Sequence, residues 1–176
     1  MKVIFTKTAA RRYRVSVEGP GVISSVMDPA AGYDARLPHD MAHFVVENEL
    51  GIIGGVFGQL AQGGHAGTFR PTEKQRGKVA KRGDRVAAAN RKDAMLSEKM
   101  VYIACRVWNN QLTELPTLEG VSIDEVKRVC RAFDAVSTVW SELAIGESMT
   151  LLWRGSVSRQ ALRRSRQERR ARQHRH

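Results

Sequence analysis

The sequence predicts an α+β fold: a small, mostly antiparallel sheet packed against three or four helices. Two stretches near the N-terminus, and one near residue 150, alternate apolar and polar residues as half-buried strands do. Between them run segments with apolar residues every three or four positions, the spacing of an amphipathic helix. At 176 residues the chain is long enough for one domain with a buried core.

Residues 2–7 and 12–18 give the first two strands, the second with Tyr13, Val15 and Val17 on one face. Thr8-Ala9-Ala10-Arg11 closes them into a hairpin. Glu18-Gly19-Pro20-Gly21 marks a turn, residues 22–27 form a third short strand, and residues 28–32 read as a loop. A helix starts at Pro38, whose missing N–H suits the first helical position, with Asp40 facing the positive end of the helix dipole. The run from Gly51 to Gly64 holds too many glycines for a comfortable helix. Gly54 and Gly58 instead suit a short helix packed close to a neighbour. A phosphate-cradling loop would need a following Gly-Lys-Ser/Thr, which is missing.

From residue 90, Leu96, Met100, Ile103 and Val107 form a helical stripe supported by Ala104 and Trp108, ending at Asn109-Asn110. Ser122-Ile123-Asp124-Glu125 is a capping box, in which side chains three apart satisfy each other's free N–H groups. Behind it Val126, Val129, Phe133, Val136, Trp140 and Leu143 repeat, and Gly146 supplies the stop. Residues 147–153 alternate again, with Met149, Leu151 and Trp153 on one face, and return as a strand to the N-terminal sheet.

The net charge of +11 is concentrated. Residues 68–100 hold ten basic against four acidic residues, and residues 154–176 hold nine arginines against Glu168 alone. The remainder is net acidic, at −3. The organisation expected is a single domain over 1–154 with a basic flexible insertion at 68–92, then an Arg-rich tail over 155–176, disordered or a polar helix. The second of two functional readings is a non-catalytic nucleic-acid-associated or protein-interaction protein acting through the basic insertion and the Arg-rich tail, with Arg163, Arg164, Arg166, Arg169, Arg170 and Arg172 as candidate contacts, through salt-sensitive, sequence-independent phosphate pairing. Stacking platforms are missing: Phe69 is the one aromatic residue in 68–100, and the tail after Trp153 has none. The alternatives are a solvated tail that aids solubility, or a protein or membrane-surface partner.

No run approaches the ~18 apolar residues of a membrane span. Thr6-Lys7-Thr8 and Arg11-Arg12 interrupt any apolar core of a secretory signal. Cys105 and Cys130 fall in helical patterns, without the paired spacing of a zinc knuckle, and read as reduced core residues. These features set the expectation of a cytoplasmic and, from the Arg/Ala/Gly bias, bacterial protein.

The stretch with chemistry in it is Leu37-Pro38-His39-Asp40-Met41-Ala42-His43-Phe44-Val45-Val46-Glu47. Positions four apart on a helix share a face, so His39, His43 and Glu47 fall within about 80° of one another. Two imidazoles and a carboxylate beside an apolar surface are a donor set for a divalent metal, zinc first. Glu47 lies two turns from His39, about 12 Å along the axis, so one ion held by all three would stretch both outer side chains. Glu47 then reads as a ligand, as a residue orienting His43, or as an acid/base. His65, in the Gly-rich loop, is the candidate ligand from outside the helix. The competing structural reading has the histidines bonding locally at the helix start and Glu47 on the surface.

His-Asp-x-x-His resembles the His-Glu-x-x-His helix of zincin metallopeptidases. That resemblance implies His39 and His43 as zinc ligands and Asp40, one methylene shorter than the family's glutamate, as general base of a small metal-dependent hydrolase. The longer phrase over residues 37–69 resembles a segment of small bacterial proteins and implies no particular activity.

Overall fold

The structure is a computed structural model, and it describes residues 1–66, 68–74, 85–86, 91–112 and 121–154. Five strands and four helices are described: β1 (Lys2–Ala9), β2 (Arg12–Glu18), β3 (Ser25–Met27), α1 (His39–Leu50), α2 (Val56–Ala61), β4 (Arg70–Pro71), α3 (Arg91–Trp108), α4 (Ile123–Glu142) and β5 (Ser148–Leu152). This is the α+β architecture the sequence predicts.

The sheet is antiparallel throughout, in the order β4-β3-β2-β1-β5. Strand alternation sets which face is apolar. Val3 pairs with Val17, and Phe5 pairs with both Val15 and Met149. All five side chains are buried, with Tyr13 and Met27 on the same face. The hairpin expected at residues 8–11 is present, with an irregularity between Lys7 and Ala9. The third strand is shorter than its apolar run, and β5 returns to pair with β1 as its alternation requires.

Helices cover the apolar face. Phe44 of α1 and Phe57 of α2 stand edge-on at 5.3 Å, and both meet Phe5. Trp140 of α4 packs edge-on to Tyr13 at 5.9 Å. α1 contacts both α3 and α4, so it is the central helix of the layer. On α3 the buried residues include Ser97, Met100, Val101, Ile103 and Ala104, while Leu96 and Val107 are half-buried. On α4 Val126, Val129, Phe133 and Trp140 are buried, and Val136 and Leu143 are half-buried.

Two features depart from the sequence reading. The basic insertion was expected to begin at residue 68, but Phe69 is buried against Phe57 and Arg70–Pro71 pair with β3 as a fifth strand. One buried aromatic ring anchors a segment whose polar composition otherwise reads as loop. Cys105 and Cys130 are free thiols, as expected, but both are half-buried instead of deep in the core. Residues 75–84 and 87–90 of the insertion, and the whole tail over 155–176 with its candidate arginines, lie outside the described residues. No helix among the described residues is long and apolar enough to cross a membrane.

Candidate metal centre

α1 begins at His39 because Pro38 brings fixed backbone to the helix start and the His39 N–H is taken by the Gly32 carbonyl at 3.0 Å. The loop presses closely there: a Cβ on Gly32 would stand 2.7 Å from His39 Cβ. One turn on, His43 is buried, while His39 remains exposed. The Nε2 atoms of the two rings are 3.1 Å apart, and the rings stand at 82° to each other.

The third member comes from α3. Glu98 Oε2 lies 3.5 Å from His43 Nε2, and one donor atom from each of His39, His43 and Glu98 falls within 4.8 Å of the others. These three residues form a group able to hold a metal ion. Zn–N and Zn–O bonds of about 2.0–2.1 Å place two ligands of a tetrahedral ion about 3.3 Å apart. The 3.1 and 3.5 Å separations bracket that value. Glu98 projects from the helix surface, with its side chain 67% exposed, so the group is built from one buried and two accessible donors.

Glu47 stands apart from this group. Its side chain is fully buried and its Oε1 accepts from Val56 N at 2.8 Å and Ser97 Oγ at 2.8 Å. Its Oε2 accepts from Phe57 N at 2.8 Å and Gly58 N at 3.3 Å. The carboxylate thereby caps α2 and meets α3. Ser97 Oγ in turn lies 3.0 Å from His43 Nδ1, the nitrogen facing away from His39. A chain Glu47–Ser97–His43 therefore runs from the core to the exposed donors.

Asp40 projects from the same helix turn toward the sheet. The Tyr13 hydroxyl, between Asp40 Oδ2 and the Ala31 carbonyl, is in contact with both. Burial raises the Asp40 carboxyl above its ordinary pKa, against the opposing pull of the Tyr13 hydroxyl and the two histidines. Burial, then the Asp40 charge, pushes the Tyr13 hydroxyl up as well. For His43, burial pulls the pKa down, but the Glu47 carboxylate, with Oε1 3.8 Å from Nδ1, and the charges of Glu98 and Asp40 outweigh it, leaving the ring above the usual histidine value. The structure brings His39 and His43 together as the sequence suggests, and does not bring His65 or Glu47 into the donor group.

Sequence reasoning missed Glu98 and Ser97. Glu98 carries no signal, because an acid on the polar side of an amphipathic helix is the ordinary case. Ser97 did carry one: it lies three, four and seven residues before Met100, Val101 and Ala104, a polar residue on the buried stripe.

Beside His39 a cleft of about 370 Å³ opens, lined among others by Tyr33, Arg36, Ala42, Cys105 and Trp108. Arg36 stacks on the Trp108 ring at 4.2 Å and donates to Asn109 Oδ1 at 3.2 Å. Compared with protein-family models, curated proteins and solved structures, the chain gives no significant match.

Proposed function

We propose that this chain is a divalent-metal protein in which His39, His43 and Glu98 hold one ion, zinc first, in the manner of a small metal-dependent hydrolase. The observation that carries the reading is the convergence of three donor atoms from two helices within 4.8 Å. Three protein ligands leave a coordination position open, the arrangement of a catalytic centre and not of a closed structural one. An ion held by these residues would supply Lewis-acid chemistry, lowering the pKa of a bound water and polarising a carbonyl or phosphoryl oxygen. The cleft beside His39 has the size of a small-molecule site and gives a substrate its approach. Glu98 replaces Glu47 as third ligand in this reading, because the Glu47 oxygens already accept four hydrogen bonds. Asp40, whose carboxylate meets the Tyr13 hydroxyl, remains the candidate general base of this reading.

Metal analysis of protein purified without chelator tests the proposal, beside a His39→Ala/His43→Ala variant and Glu98→Ala. One equivalent of metal in the wild type and almost none in the double variant is the expected result. Equal metal in both would overturn it. The same measurement identifies the ion, since a two-histidine, one-carboxylate set also suits iron(II).

A further inference from the structure

We infer that Ser97 and Glu47 form a relay that fixes the His43 ring with Nδ1 as hydrogen donor and Nε2 turned to the metal, which makes Ser97 a positioning residue of the centre. The inference rests on the metal reading above.

It follows from a count of protons. Three of the four groups bonded to Glu47 are backbone N–H groups of Val56, Phe57 and Gly58, which can only donate. The carboxylate is therefore an acceptor, and the single proton of Ser97 Oγ, 2.8 Å from Oε1, is spent on it. His43 Nδ1 lies 3.0 Å from the same oxygen, which has only lone pairs left to offer. Nδ1 must carry the hydrogen. In the neutral ring this leaves the lone pair on Nε2, the nitrogen 3.1 Å from His39 and 3.5 Å from Glu98.

Burial makes the assignment firm. Ser97 is 1% exposed and Glu47 fully buried, so water has no room to offer His43 a competing partner. The Glu47 end is pinned by the fold: a Cβ on Gly55 would stand 2.2 Å from the carboxylate, so the loop closes directly over it. The same geometry excludes Ser97 as a nucleophile, since its hydroxyl is enclosed and already donates. Hydrogen-bonded partners of this kind orient a ligating imidazole and raise its basicity, and their loss typically costs about 10–100-fold in metal affinity.

Two measurements test this on the full chain. Zinc affinity is read by competition with a chromophoric chelator for wild type, Ser97→Ala and Ser97→Thr. The tautomer of His43 is read in metal-free protein at alkaline pH from its ring ¹⁵N shifts. Ser97→Ala should bind zinc about 10–100-fold more weakly, and Ser97→Thr, which keeps the hydroxyl, should stay near wild type. The wild-type ring should be protonated at Nδ1. Unchanged affinity in Ser97→Ala, or a ring protonated at Nε2, would overturn the relay. If Ser97→Ala does not fold, the wild-type tautomer alone decides. A wild type that binds no zinc would overturn the metal reading, while the ¹⁵N shifts still judge the relay.

Discussion

A Cβ on Gly55 would meet Glu47 Cδ and Oε1 at 2.2 Å, with backbone angles (φ −75°) that any residue adopts. The need for glycine there is purely one of space. Gly55→Ala must expel the carboxylate from the N–H groups of Val56, Phe57 and Gly58 or move the loop. Overpacking and unsatisfied buried donors together should cost about 3 kcal/mol. Urea denaturation reads this as a lower midpoint at unchanged slope, and an unshifted midpoint would mean that Glu47 does not sit beneath the loop. Cys105 gives a second expectation at this scale. Burial, then the neighbouring Cys130 and Asp34, pushes its thiol up to about 11. Thiolate is the reactive form, so below that value alkylation should accelerate about tenfold per pH unit and be sluggish at neutrality. Iodoacetamide labelling followed by mass spectrometry between pH 7.5 and 9.5 checks this. A rate that levels off near pH 8.5 would mark an ordinary exposed thiol.

At the level of elements, legibility followed the range of the interaction. The capping box is a local device, and it is present as read: Glu125 N donates to Ser122 Oγ at 3.3 Å and Ser122 N donates to Glu125 Oε2 at 2.8 Å. Ser122→Ala should therefore cost about 1 kcal/mol, seen as a lowered Tm in calorimetry, and no change would mean that other groups cap α4. The β1–β2 hairpin and the β5 return were legible because alternation fixes which face of a strand is apolar. β4 was not, because its two residues owe their place to Phe69 packing on Phe57, a contact that no local pattern encodes. The site divides the same way. His39 and His43 share a face by helix geometry alone, whereas Glu98 joins them only because α1 and α3 pack together. Glu47 was read as belonging to that face, yet its carboxylate is claimed by α2, an element whose glycine-dense sequence says little about where its N–H groups point.

Across the whole molecule, the positive charge of the tail and the candidate metal donors lie in different parts of the chain. Residues 154–176 carry a net +8 and residues 68–100 a net +6, so any affinity for polyanions should reside in these two segments and fall with salt. Removing residues 155–176 should flatten the salt dependence of binding to random-sequence RNA, and an unchanged slope would place the contacts elsewhere. The proposed metal site instead belongs to the folded state. Its donors lie on two helices whose packing with one another, and with the sheet beneath, exists only when the chain is folded. An ion that binds this group and not the unfolded chain must stabilise the fold by mass action, by about 2.7 kcal/mol at a hundredfold excess over its Kd. For a domain of this size that corresponds to a rise in Tm of roughly 5–10 °C. Saturating zinc should give that rise in the wild type, none in His39→Ala/His43→Ala, and a reduced one in Ser97→Ala at the same free zinc. An equal rise in the double variant would place the binding away from α1. A rise in the double variant alone is not expected on any arrangement in which the two imidazoles share the ion.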